Sequence, residues 1–320
     1  MKNKIVLLIL ILMTLAMVGC GSGDNNTDPF ANQTYQKPVS SNTNDATTPW
    51  LATATSDPWL TTNPYGDKHD GGWVYSARED RLYSMYGNDN DGRTFFRINH
   101  IGETYEIATT FTYGHHGSQP VIDDTGTYIY MPPSYENNDL ERYNTETSNL
   151  ETLASAPASG YYTHGTWKKG KLWVVLGDHN LYSYNPAANT WSASLHVFAN
   201  QANVATSDSA SNLIYIIVEG GDFFSYDVTN NATTTLPSHP FGFSLSGNGQ
   251  LTWFGDSEGF IYAMGGCGGT PAIYGIASGT WHAMSDPKPN SNCVGHATYD
   301  TSRNRLYVAD GSSNAFYYQY

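Results

Sequence analysis

The sequence predicts an all-β fold, a six-bladed β-propeller with four-stranded blades, and three observations carry that prediction. The first is repetition. Six apolar, aromatic segments recur along the chain: "RLYSMYG" from Arg81, "TYIYMPP" from Thr127, "KLWVVLG" from Lys171, "NLIYIIVEGG" from Asn212, "FIYAMGG" from Phe260 and "RLYVADG" from Arg305. Their starts lie 46, 44, 41, 48 and 45 residues apart. A period in the forties built from β-forming residues with Gly-rich ends is the spacing of propeller blades. The second lies just downstream of each segment, where a polar turn leads into a Tyr- or Phe-rich stretch: "TFFRINH", "DLERYNT", "NLYSYNP", "DFFSYDV", "PAIYGIA", "NAFYYQY". The third is that apolar residues do not recur at helical spacing.

Each blade can then be assembled in order. A short segment upstream, such as "GTWKKG" or "HATYDTSRN", supplies the innermost strand A, and the apolar segment is B. The aromatic stretch is C, and a Thr- or Trp-bearing piece such as "TYEIA", "TWSAS" or "TWHAMSDP" is the outermost strand D. The sixth unit has no D strand of its own before Tyr320, and an open sheet edge calls for a partner. "TPWLATATSDP" (Thr48 to Pro58) echoes "TWHAMSDP" (Thr280 to Pro287) and is the expected donor, with "PWLTT" from Pro58 as the rival. The propeller is therefore expected to span residues 48–320, its last blade closed by an N-terminal strand.

The order of apolar strand, Gly pair, Tyr, Asn or Asp, and Trp resembles the kelch repeat. "YAMGG…IYGIASGTW" (Tyr262 to Trp281) and "VVLGDHNLYSYNPAANTW" (Val174 to Trp191) carry it best. The Gly pair stands only at Gly220-Gly221 and Gly265-Gly266, so the resemblance is to a divergent member.

Residues 1–19 read as a signal peptide. Lys2 and Lys4 precede an apolar run from Ile5 to Val18, too short for a membrane span of about 20 residues. The run ends in "LAMVGC", which resembles a bacterial lipobox and implies a lipidated Cys20. Acyl chains there would anchor the protein to a membrane, and Gly21 after the cysteine implies the outer membrane of the cell envelope. Residues 20–47 are rich in Asn, Thr, Ser and Gly, a composition that cannot offset its ordering entropy, and read as a tether.

The formal net charge is −14, and cleavage removes Lys2 and Lys4 and no acid, leaving −16. That excess argues against nucleic acid as a partner and against membrane contact other than through the lipid anchor. Beyond Cys20 only Cys267 and Cys293 remain. One falls in a B–C turn and the other in the next D–A connection, so in an exported protein they are expected to form a disulfide.

Chemistry concentrates in the D–A connections. His115 and His116 precede unit two, His164 precedes unit three, His239 precedes unit five, and His296 opens strand A of unit six. D–A and B–C connections share one face of a propeller, so these rings surround one mouth of its axial channel. His115, His116, Tyr161, Tyr162, His164 and His296 are the candidate ligand-binding residues, the tyrosines for stacking. His116, His164 and Tyr162 are the candidates for acid–base catalysis. No metal or cofactor is assigned, because no His pair has a nearby carboxylate at ligand spacing. "GNDNDGR" fails the spacing of a calcium loop.

The function these readings favour is a monomeric, envelope-anchored propeller that binds a glycan or protein partner through the D–A and B–C face. The alternative, implied by the resemblance, is a carbohydrate-active enzyme of polysaccharide-lyase or sugar-mutarotase type. A lyase acting on anionic polymers needs a cation beside the scissile bond. The arginines, Arg78, Arg81, Arg93, Arg97, Arg142, Arg303 and Arg305, read mostly as solvent-facing strand ends.

Overall fold

The computed structural model describes residues 71–85, 93–99, 104–115, 117–134, 137–160, 163–205, 211–245, 249–255, 259–266, 269–284, 296–309 and 315–319. Its strands pair antiparallel in consecutive sheets. The first sheet joins β1 (Gly72–Ser76), β2 (Arg81–Met85), β3 (Thr94–Asn99) and β4 (Thr104–Thr110). The second joins β5 (Val121–Ile122), β6 (Tyr128–Met131), β7 (Glu141–Asn144) and β8 (Leu150–Thr152). The third joins β9 (Gly165–Lys168), β10 (Lys171–Val175), β11 (Asn180–Asn185), β12 (Thr190–Trp191) and β13 (His196–Val197). The fourth joins β14 (Ala202–Ala205), β15 (Leu213–Val218), β16 (Phe223–Asp227) and β17 (Ala232–Leu236). The fifth joins β18 (Gln250–Phe254), β19 (Phe260–Met264), β20 (Ala272–Gly275) and β21 (Thr280–Ala283). Last come β22 (His296–Asp300), β23 (Arg305–Ala309) and β24 (Ala315–Gln319). The first strands of successive sheets lie side by side, β1 with β5, β5 with β9, β9 with β14, β14 with β18 and β18 with β22. β22 returns to β1, which closes the ring. The fold is a β-propeller.

The expectation of six four-stranded blades is not what the described residues form. Five blades are complete, and the last sheet stops at three strands, β22-β23-β24. In the third sheet β12 and β13 both pair with β11, so its outer layer is one strand broken in two. Ser192 causes the break, since its Oγ accepts the Ser183 N–H at 3.0 Å where a backbone carbonyl would otherwise serve. The repeat that suggests six blades is a repeat of B strands, which are buried and strongly apolar. Outer strands carry almost no such signal: Ala232–Leu236 is largely exposed and nearly all threonine in its centre. A B strand therefore announces its A and C neighbours but not its D strand. Both proposed donors, around Trp50 and Trp59, lie outside the described residues, as do Cys20, Cys267 and Cys293.

The core is distributed between neighbouring sheets. Tyr83, Met85 and Phe95 of the first sheet pack with Ile129, Met131 and Tyr143 of the second. Leu172, Val174 and Tyr184 meet Tyr130 and Leu140 across the next gap, and Trp173 and Val175 meet Ile214 and Ile216 across the one after. B-strand side chains alternate between the two gaps flanking their blade, which is why those strands are apolar on both faces.

The turns on the A–B and C–D face share one device. Asp80, Ser148, Asn189, Asn231 and Asn304 have φ between 51° and 58°, a region that Asn and Asp tolerate better than most residues. In each case the tyrosine five residues upstream donates its hydroxyl to that side chain: Tyr75 at 2.9 Å, Tyr143 at 3.3 Å, Tyr184 at 2.6 Å, Tyr226 at 3.0 Å and Tyr299 at 3.1 Å. In the fifth sheet Gly279, φ 66°, holds the place five residues after Tyr274.

The same face carries the seam between the first and last sheets. Arg303 donates to both carboxylate oxygens of Asp80, at 2.6 and 2.7 Å, and to Asp300 at 3.0 Å. With its proton given to Asp80, the Tyr75 hydroxyl accepts from Ser302 Oγ at 3.0 Å across the seam. Arg305 is 2 % exposed, and so the reading of the arginines as solvent-facing strand ends fails for it.

Candidate functional site

Every A strand begins on the face where D–A and B–C connections interlock. The connection into the third sheet bonds to B–C turns on both sides, Gly160 N–H to Ser134 O at 3.3 Å and Gly177 N–H to Ser159 O at 2.8 Å. The connection into the fifth does the same, through Gly220 N–H to Phe243 O and Gly266 N–H to Ser244 O, both at 2.8 Å. Side chains at the heads of the A strands therefore converge on one mouth of the channel.

His164 and His296 stand at two of those heads, 1 % and 7 % exposed. His164 directly precedes β9 and His296 opens β22; these strands are three places apart around the ring, so the two heads lie on opposite sides of it. His296 Nδ1 has no hydrogen-bond partner among the described residues. Burial, with His164 nearby as the lesser cause, pushes the His296 ring down to about 3. It is neutral at physiological pH, so it can donate and accept hydrogen bonds but cannot serve there as an acid. Burial likewise lowers His239, which sits edge-on to Trp281 at 4.9 Å in the connection into the fifth sheet.

The folded protein holds His296 unprotonated below the pH at which the unfolded chain takes up its proton, near 6.5. Its contribution to stability is complete above that value and is lost as pH falls toward about 3. Thermal unfolding measured from pH 7 to 4 should show a falling midpoint, and His296→Gln should flatten that slope. A variant as acid-sensitive as the parent would show that His296 is not the group responsible.

His115 occupies a different setting. It is fully buried, with Nδ1 3.0 Å from Pro132 O and Nε2 3.0 Å from Glu141 Oε2. Both ring nitrogens thus have a partner inside the protein, locking the connection before β5 onto the B–C turn of its own blade. His116, Tyr161 and Tyr162 lie outside the described residues. The structure thus brings His164 and His296 together at the mouth and holds His115 aside.

Sequence reasoning missed the glutamines. Gln119, Gln201 and Gln250 stand at or just before the heads of β5, β14 and β18, the places His164 and His296 take in β9 and β22. The signal was positional: a large polar side chain at or just before the start of five of the six A segments (β1 begins at Gly72), which a search for histidines passes over.

Below the mouth lies a cavity of about 260 Å³, lined by the inner strands and containing Trp73, Gln119, Trp167, Gln250, Thr252 and Thr298. β1 closes in on it at Gly72, where an added Cβ would stand 2.7 Å from Gln119 Cγ and Pro120 Cδ. Gln250 is 1 % exposed. Its Nε2 donates to Leu251 O at 3.1 Å and Thr252 Oγ1 at 2.7 Å, while Thr252 donates on to Ala297 O at 3.1 Å. Thr252 has its proton committed and the Leu251 carbonyl can only accept, so the amide orientation is fixed. Gln250 Oε1 is left without a partner among the described residues, and so is Trp167 Nε1.

No family model matches the chain and no curated protein matches it, so the expected kelch likeness finds no support. What the chain is established to be is a β-propeller.

Proposed function

We propose that the protein is a binding propeller, tethered to a bacterial envelope through a lipidated Cys20, which takes a glycan at the channel mouth on the D–A and B–C face. The observation that carries this reading is the concentration of unsatisfied buried hydrogen-bonding atoms there. Gln250 Oε1, His296 Nδ1 and Thr163 Oγ1 are buried there without partners among the described residues, and Trp167 Nε1, farther along β9 on the cavity wall, is another. A buried polar atom left unpaired costs about 1–3 kcal/mol, and natural proteins hold few. Several at the head of one channel, beside indole rings, suit a ligand rich in hydroxyls. The neutral His296 ring fits binding better than proton transfer.

Two measurements test the reading. A glycan array probed with the full chain should show selective retention of a subset of sugars, and product analysis on the retained ones reads turnover directly. Retention of none would overturn glycan binding. Cys20→Ser should move the protein from the membrane fraction into the soluble one, and unchanged partitioning would remove the anchor.

A further inference from the structure

We infer that the axial cavity selects a single neutral, hydroxyl-bearing ring, a hexose or cyclitol, and rejects acidic sugars. This rests on the glycan-binding reading and narrows it. Size is the first constraint. At about 260 Å³ the cavity falls just below the roughly 300–1,000 Å³ of sites for drug-sized ligands, which suits one ring and not an oligosaccharide.

The unsatisfied atoms set the second. Gln250 Oε1 can only accept, so its partner must bring an O–H or N–H. Trp167 Nε1 can only donate, so its partner must bring a lone pair. A hydroxyl group can meet either demand, and a ring that carries several offers both. A carboxylate can serve the indole but not the amide oxygen. The Trp167 ring is fixed by stacking on Tyr130, with centroids 5.1 Å apart and planes 23° apart.

Charge is the third. Among the described residues, no Arg or Lys side chain lines the cavity, and the charged groups along it are Asp123 and Asp124, at the end of β5 away from the mouth. Asp123 already accepts from the backbone N–H groups of Thr127 at 3.0 Å and Tyr128 at 3.1 Å and from the Thr125 hydroxyl at 2.9 Å. An acidic sugar would lose its hydration here, find no cation among the described lining residues and meet like charge.

Calorimetric titration of the full chain with glucose, galactose, mannose and myo-inositol, each against glucuronate, tests the inference. At least one neutral probe should bind, with glucuronate at least tenfold weaker. Trp167→Phe, which keeps a ring and deletes the donor, and Gln250→Leu should each weaken the neutral probe by about fivefold, the worth of one hydrogen bond. Thermal melting confirms that each variant is folded, and should Gln250→Leu fail to fold, Trp167→Phe decides alone. Glucuronate binding as tightly as glucose would overturn the selectivity. Neutral binding unchanged in a folded Trp167→Phe would place the ring elsewhere. If neither neutral nor acidic sugars bind, the glycan-binding reading itself falls.

Discussion

Glu141→Ala should lower the unfolding free energy by about 3–5 kcal/mol, because it strips three groups of their buried partner at about 1–3 kcal/mol each. The carboxylate is fully buried. It accepts from Thr112 N–H and Tyr113 N–H, both at 3.1 Å, and from His115 Nε2 at 3.0 Å. Without it two backbone donors and the His115 ring lose their partner together. Burial alone would raise the Glu141 carboxyl, but the His115 bond and the Tyr113 and Thr112 N–H groups outweigh it and hold the group below its usual range. A depressed carboxyl contributes stability that is complete above the unfolded value and disappears as pH falls through the folded one. Urea unfolding at pH 7 should therefore separate parent and Glu141→Ala widely, and the gap should narrow at acid pH. Glu141→Gln keeps one acceptor and should lose less. A variant that unfolds at the parent's urea midpoint would show that the pair is not holding the second blade.

Arg303→Ala should open the ring at its seam. Arg303 binds Asp80 of the first sheet with two bonds and Asp300 of its own turn with a third. Asp300 is fully buried and Asp80 is 37 % exposed. The expected loss is about 2–3 kcal/mol, between the values for exposed and buried pairs. It should show as earlier hydrogen exchange in β1 and β22, while β10 and β15 exchange as before. A double-mutant cycle with Asp80→Ala isolates the contact across the seam. Additive effects of the two substitutions would mean that side-by-side packing of β1 and β22 closes the ring without it.

The propeller is legible in the sequence through its B strands because those residues serve two apolar gaps at once. Lys171 to Val175 and Leu213 to Val218 could hardly be anything else. The outer strands are poorly legible, because Leu150 to Thr152 and Thr190-Trp191 are exposed or half-exposed and need only one partner. Of the candidate site, His164 and His296 stand out in the sequence as polar residues repeated before B strands. His115 looks the same there, and only Glu141, 26 residues away, distinguishes it by engaging its ring. Gln250 is invisible for the opposite reason, since an amide has no distinguishing chemistry until its two ends are seen to have different partners.

The tyrosine tethers give the two rims of the propeller different fates under change. On the A–B and C–D rim the seam turns at Asp80 and Arg303 bond across blades, but the turn at Asn231 is held from within by Tyr226 and Asp227 of its own strand. Such turns are modular, and a peptide tag or reporter placed between Thr229 and Asn230 would disturb one hairpin only. The opposite rim is woven from strand heads and connections that bond across blades, as Gly160 does to Ser134 and Gly220 to Phe243. A change there propagates to the next loop and then to the channel. New specificity would have to be engineered on the woven rim, several loops at a time, while cargo can be grafted onto self-contained turns of the other, away from the seam.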